Sequence, residues 1–198
     1  NAYKTAGLSA NQYMETVTSF SASLISSLNG DTEASAKAAN QAIIDMSDNA
    51  NKMGTDMSLI QSAYQGFAKQ NYTMLDNLKL GYGGTKTEME RLLKDAEKIS
   101  GIKYDISNLN DVYSAIHVIQ TEMGITGTTA DEAEKTIAGS ANALKGAFEN
   151  LISGFGNSSA DIQALCNNVA DSLSKVIKNI TPVIQNIISV LPIVVDSL

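Results

Sequence analysis

The chain has no tryptophan, two prolines, one cysteine, one histidine and, at Arg91, a single arginine among its 198 residues. Each shortage closes off a class of protein. One cysteine excludes an intrachain disulfide, and one histidine excludes a His-rich metal site and leaves most catalytic triads without a base. Two prolines are too few to punctuate a turn-rich all-β fold. Lys and Arg number 14 against 21 Asp and Glu, for a net charge of −7 and a pI near 4.6. That balance has the wrong sign for a surface that tracks phosphates, so sequence-specific nucleic-acid binding is not expected. Aromatics make up only 6%, so the 43% hydrophobic content is mostly Ala, Leu, Ile, Val and Met. It suffices for a core and argues against disorder.

What is present is helical period. Ser9 with Gln12 forms a capping box before Tyr13, Val17, Phe20, Leu24 and Leu28, which predicts one helix from about Ser9 to Leu28, stopped by Asn29-Gly30. Asp31 or Thr32 opens a second helix lined by Ala34, Ala38, Ala42, Ile43, Met46, Ala50 and Met53, and Asp56 a third carrying Ile60, Tyr64 and Phe67. Residues 71–85 keep apolar residues without the period and read as a packed, irregular connector with one short helical turn. Thr87 with Glu90 predicts a cap for the stripe Met89, Leu92, Leu93, Ala96 and Ile99, and Ser107 or Asn108 one for Val112, Ile116, Ile119 and Met123. Thr129 with Glu132 predicts the start of one long helix bearing Ile137, Leu144, Phe148 and Leu151, with interior Gly139 and Gly146 that imply close helix packing or a bend.

Composition changes after Gly154. Residues 154–159 read as a flexible hinge, followed by the amphipathic stripe Ile162, Leu165, Val169, Leu173, Val176, Ile177 and Ile180. Thr181-Pro182 reads as the cap and first turn of a further helix with Val183, Ile184, Ile187, Ile188 and Leu191 inside. Lys178, Asn179, Pro182, Gln185 and Asn186 interrupt the run from Val176 to Val195. An amphipathic helix on partners or at a membrane surface is therefore expected ahead of a spanning one. The chain begins at Asn1 without an initiator Met and stops within an apolar run, so a piece of a longer protein is expected.

Candidate chemistry is sparse. Asp131, Glu132 and Glu134, like Glu88 and Glu90, sit in first turns where the helix dipole favours negative charge. His117 has no carboxylate at a helical neighbour position and reads as a boundary histidine, and Cys166, on the flank of an apolar stripe, as a small core hydrophobe. The run Gly81-Tyr82-Gly83-Gly84-Thr85-Lys86-Thr87 lacks the spacing of a nucleotide-binding loop and reads as a turn before a capped helix.

Four phrases carry a resemblance: Gly7 to Val17, Ala42 to Gly54 with its core Ile44-Asp45-Met46-Ser47-Asp48-Asn49, Ala63 to Lys86, and Gly124-Ile125-Thr126-Gly127-Thr128-Thr129-Ala130. Together they resemble the core region of phage tail tape-measure proteins, also called phage minor tail proteins, of tailed phages and prophages of Gram-positive bacteria. The resemblance runs from about Gly7 to about Leu151. It implies a segment of a long, mostly helical virion protein that lies in the tail lumen, sets tail length during assembly and takes part in genome delivery. Its implied partners are tail-tube and tail-tip proteins, tail-assembly chaperones and further copies of itself, with a trimer as the first expectation. The host cytoplasm during assembly and the host envelope after ejection are further implied locations.

The sequence-level reading is an all-α protein of about six to eight helices, with a core domain at 1–153 and a hinge plus amphipathic tail at 154–198. No enzymatic activity, catalytic residue, cofactor or metal is expected. The expected membrane or partner contact is Val176, Ile177, Ile180, Val183, Ile184, Ile187, Ile188 and Leu191. Two other classes compete with the structural one: a membrane-active or pore-forming module acting at DNA ejection, and a cell-wall hydrolase domain.

Overall fold

The computed structural model describes residues 2–195, with side chains from 4 to 190. It is all-α. In chain order the helices are α1 (Ala2–Thr5), α2 (Ala10–Thr18), α3 (Ser21–Ser27), α4 (Thr32–Met53), α5 (Met57–Phe67), α6 (Lys86–Ser100), α7 (Leu109–Glu122), α8 (Thr128–Lys135), α9 (Ile137–Phe155) and α10 (Ile162–Val195), with a 3-10 turn at Leu75–Leu78. Among the described residues there is no strand. The chain divides into two compact units: a core unit, Gln12–Thr129, and a hairpin unit, Asn1–Asn11 with Ala130–Leu198. A boundary at 153/154 would fall in the last turn of α9.

Local chemistry explains the helix starts. Asp31 accepts from the Ala34 amide, Asp56 from Ser58 and Asn108 from Asp111, each satisfying a free donor of the first turn. The cap of α6 is two residues earlier than the Thr87–Glu90 box: Thr85 accepts from the Glu88 amide.

The partition differs from the periodic reading at three further points; with α1 and two breaks adding helices and one fusion removing one, ten helices stand among the described residues where six to eight were expected. The Ser9–Leu28 helix is broken at Ser19-Phe20. Thr16, Thr18 and Ser19 hydroxyls donate back to carbonyls at Gln12, Met14 and Thr16, competing with the backbone ladder. Phe20 (φ −135°, ψ 0°) leaves the helix and buries its ring edge-on to Tyr113, centroids 5.7 Å apart. The Thr129–Leu151 helix is broken at Thr136, an extended residue that caps α9 by accepting from Gly139. A Cβ on Gly139 would lie 2.4 Å from the Glu132 backbone, so this corner closes only over a glycine. Conversely, Thr181-Pro182 starts no helix: α10 runs through it, although an interior proline loses one backbone bond and crowds the carbonyl of residue 178.

The core unit buries large side chains. Tyr64 and Tyr113 rings stand 4.9 Å apart and the Tyr113 hydroxyl donates to the Tyr64 carbonyl at 2.8 Å. Ile43, Met46, Ile60, Leu75, Leu78, Met89 and Leu92 are fully buried around them. Each contributes about 1.5–3 kcal/mol over exposure. The connector between α5 and α6 is part of this core, and a Cβ on its Gly84 would meet the Thr73 carbonyl oxygen at 2.2 Å.

The hairpin unit packs α9 antiparallel to α10. Its buried cluster is made of small residues, Ala133 of α8 with Ala143 and Ala147 of α9, and Val169 of α10 packs against it. Residues 154–159, expected as a hinge, carry the end of α9 and a turn. Gly154 and Phe155 complete α9, Gly154 packs on Leu165, and Asn157 accepts from both the amide and the hydroxyl of Ser159 in a closed turn.

Candidate functional site

Within the core unit, α4 carries an unusual interior. Positions 45 to 49, Asp-Met-Ser-Asp-Asn, are buried without a break, so this turn is surrounded on all sides. Asp45 Oδ1 lies 2.8 Å from His117 Nδ1 on α7 and accepts from Gln41 Nε2 at 3.0 Å. Burial pushes the Asp45 carboxyl up, against the hydrogen bond from His117, and that same bond to Asp45 raises His117. Both shifts favour a proton held within the pair. One turn on, Asp48 is fully buried and accepts from the amides of Gly127 and Thr129 at 2.6 and 2.8 Å, a carboxylate set at the positive entry of α8. Asn49 donates to the Leu78 carbonyl at 2.9 Å. Gln120 donates to the Tyr64 hydroxyl at 3.3 Å, and burial holds that phenol well above its ordinary value. One helical turn of polar side chains thus ties down α7, the connector and the 124–129 loop.

The glycine-rich run is closed by its own side chains. Glu88 accepts from the Gly83 amide at 3.0 Å and from Arg91 Nη2 at 2.6 Å, and these bonds, the arginine's first, bring its carboxyl down to about 2. Arg91 also donates to the Gly81 carbonyl and lies 4.3 Å from the Tyr82 ring centre. Burial and the Asp95 hydrogen bond push the Tyr82 phenol up to about 12. The amide that would meet a phosphate already has a carboxylate. Two open grooves lie elsewhere in this unit, one of about 520 Å³ beside Leu93, Tyr104 and Ile106, the other of about 590 Å³ beside Ser23, Phe67 and Asn108. Neither brings the paired carboxylates of the sequence together as an acid and a base.

In the hairpin unit the other candidate surface is apolar. Of the residues expected to make contact, Ile177, Val183, Ile184, Ile187 and Ile188 are exposed, while Val176 and Ile180 are half-buried. The side chain of Leu191 lies outside the described residues. Every residue from 181 to 190 is exposed, and Phe148, Ile152 and Phe155 add a second apolar row on α9. Cys166 is exposed, not the core hydrophobe its neighbours suggested, because α10 turns Leu165 and Val169 inward instead. Glu134 is ion-paired with Lys175, and Asp131 with Lys135 at 2.8 Å, so these carboxylates serve helix contacts. Among the described residues no helix is long and apolar enough to cross a membrane, and no cluster of His, Cys, Asp and Glu could hold a metal.

Comparison with protein-family models, curated proteins and solved structures finds no match. The site therefore speaks through its own geometry. Sequence reasoning missed the Asp45–His117 pair, since the partner is 72 residues away and no local spacing signals it. It also missed Asp48, for which the only hint was a charged residue within an apolar helical stripe.

Proposed function

We propose that this chain is a structural module of a tailed-phage tape-measure protein, acting through helix packing and not through chemistry. The observation that carries the reading is the hairpin unit's apolar surface: among the described residues, eleven of the seventeen exposed large hydrophobic side chains belong to it. A surface of that kind suits a segment that spends its working life in contact with other protein. The phrases that resemble tape-measure cores support the family. Three of them supply Asp45 and Asp48, Leu78, and Gly127 and Thr129, which meet in the polar interior of the core unit. In this reading the partners are tail-tube and tail-tip proteins, assembly chaperones and further copies. The place of action is the tail lumen, after passage through the host cytoplasm, and no residue has a catalytic role.

The test is made on virions from cells that encode the chain. The protein is expected in purified tails, and an in-frame deletion of the 34 residues of α10 should shorten them by about 51 Å at 1.5 Å per helical residue. Tails of unchanged length, or tails without the protein, reject the proposal. A membrane-active role is the second reading, favoured by the absence of charge on α10 between Asn179 and Val190. Leakage of vesicles by the purified chain, lost when Ile184 and Ile187 become Asn, would favour it.

A further inference from the structure

The stripe of α10 that faces α9 is covered only part of the way. Val169 packs on the cluster of Ala143 and Ala147, Ser172 is 3% exposed, and Asn179 donates to the Thr136 carbonyl at 2.9 Å. Beyond Asn179 the same helical spacing continues through Val183, Ile187 and Val190, all of them exposed. The cover ends there because α8 and α9 part at Thr136. The buried face of α9 itself does not end: Ala147, Ala143 and Ser140 stand on a helical stripe that runs on through Thr136 to Ala133 and Ala130 in α8. The antiparallel register that sets Val169 beside Ala143 and Ala147, and Asn179 beside Thr136, would set Val183 beside Ala133 and Ile187 beside Ala130.

We propose that the Thr136 corner is a hinge with a second position, in which α8 and α9 join as one helix and α8 lies over the Val183–Ile187 end of α10. Continuity with the α9–α10 interface selects α8 as the cover, since it brings a face of small residues in the register already in use. The backbone bonds that would join the helices run from the amides of residues 137, 138 and 139 to the carbonyls of 133, 134 and 135. At the bend, side chains take their place: Thr136 Oγ1 accepts from the Gly139 amide at 2.9 Å, and Asn179 Nδ2 donates to the Glu134 carbonyl at 3.3 Å. Joining therefore exchanges side-chain bonds for backbone bonds and takes Val183 and Ile187 out of water. No proline lies between Thr128 and Phe155, and Gly139 and Gly146 weaken a helix without ending it.

What keeps the corner bent comes from α10. Asn179 answers the carbonyls of both Glu134 and Thr136, and Lys175 pairs with the Glu134 carboxylate. Both side chains of that ion pair are partly exposed, so salt screens it. Gly139 makes the bend possible, because a Cβ there would lie 2.4 Å from the Glu132 backbone. Latch and glycine together decide how much of α10 is open. The bent form presents Val183 and Ile187 to a partner, and the joined form hides them beneath the chain's own α8.

The experiment is double electron-electron resonance on the full chain, diluted in unlabelled chain, with Cys166→Ser and nitroxides on Asp131→Cys and Ile152→Cys. A joined helix sets those positions about 32 Å apart at 1.5 Å per residue, and the bend brings them closer. Wild type should show the shorter distance. Gly139→Ala should shift it to the longer one, with far-UV circular dichroism retained and slower amide exchange over 183–187. Lys175→Ala/Asn179→Ala, which leaves the glycine in place, should add the longer distance as a second population. A short distance in Gly139→Ala, a loss of its helix signal, or unchanged exchange over 183–187 overturns the proposal. A latch variant with wild-type distances, or wild type already at the longer distance, overturns the latch.

Discussion

The core unit and the hairpin unit are both helical, yet they bury opposite things. All eleven of the largest fully buried side chains, from Phe20 to Leu92, lie in the core unit. The hairpin unit's buried cluster consists of three alanines, and its large apolar residues face outward. In the core unit stability comes from within, with a polar turn of α4 fixing the loops around it. The hairpin unit leaves much of its hydrophobic area exposed. Dispensing with a large core brings two backbones close, and the same choice leaves Ile and Phe free for contact.

The sharpest way to break this contrast is to truncate one large side chain in each unit. Phe20→Ala should cost the core unit about 3–5 kcal/mol in urea unfolding, while Ile187→Ala should change the stability of the dilute chain by less than about 0.5 kcal/mol. Equal losses would erase the distinction.

The next test removes polar fixation. Asp48→Ala leaves the Gly127 and Thr129 amides without their acceptor, and a loss of about 2–4 kcal/mol is expected, with faster amide exchange at 127–129. Unchanged exchange there would mean that the loop is held by packing alone.

Added methyl groups discriminate more finely. At Gly84 the obstacle is the Thr73 carbonyl, which cannot yield, whereas at Gly154 it is the far end of the Leu165 side chain, 2.4 Å away, which can rotate. Gly84→Ala should therefore cost about 1–3 kcal/mol and Gly154→Ala less than about 1 kcal/mol, compared by thermal melting. The reverse order would show that the hairpin is the more tightly fitted unit.

The smallest effect is on pH dependence. His117 is raised in the folded chain, so its contribution is fully present below its unfolded value near 6.5 and is lost as pH rises through the folded value. Asp45, also raised, acts in the same direction as pH falls, and the charged or titratable neighbours facing the pair are Asp48 and Tyr64. Asp56, Glu88, Asp95 and Asp105 are lowered, so their contribution is present above their unfolded values and is lost on acidification below about 4. Core-unit stability should peak between these limits and decline above pH 6.5, and His117→Gln should flatten the alkaline limb. A wild-type midpoint that is level from pH 6 to 8 would show that the pair takes up no proton on folding.

These regions differ in how far the chain's own text reveals them. Caps at Asp31, Asp56 and Asn108 are legible because donor and acceptor lie two or three residues apart. The connector at 71–85 is legible as packed but aperiodic, since its leucines persist without a helical repeat. Helix breaks at Phe20 and Thr136 are not, because a ring seeking Tyr113 and a glycine corner over Glu132 are tertiary matters that override a continuous stripe. For the same reason α10 hid its two faces: local spacing shows that Leu165 and Leu173 are both apolar, but only the α9 partner decides which is buried. The acidic first turns were readable as helix chemistry, whereas Asp45 and Asp48 took their meaning from α7 and the 124–129 loop.

The charge-free stretch of α10 also decides how readily the protein is seen by mass spectrometry. No Lys or Arg lies between Lys178 and residue 198, so trypsin leaves residues 179–198 uncut within one peptide rich in Ile and Val. That peptide will adsorb to surfaces and ionise poorly, and a tryptic digest will register the core unit while passing over the exposed end of α10. Thermolysin, which cuts before exposed Ile and Val, should open this segment first and make it visible.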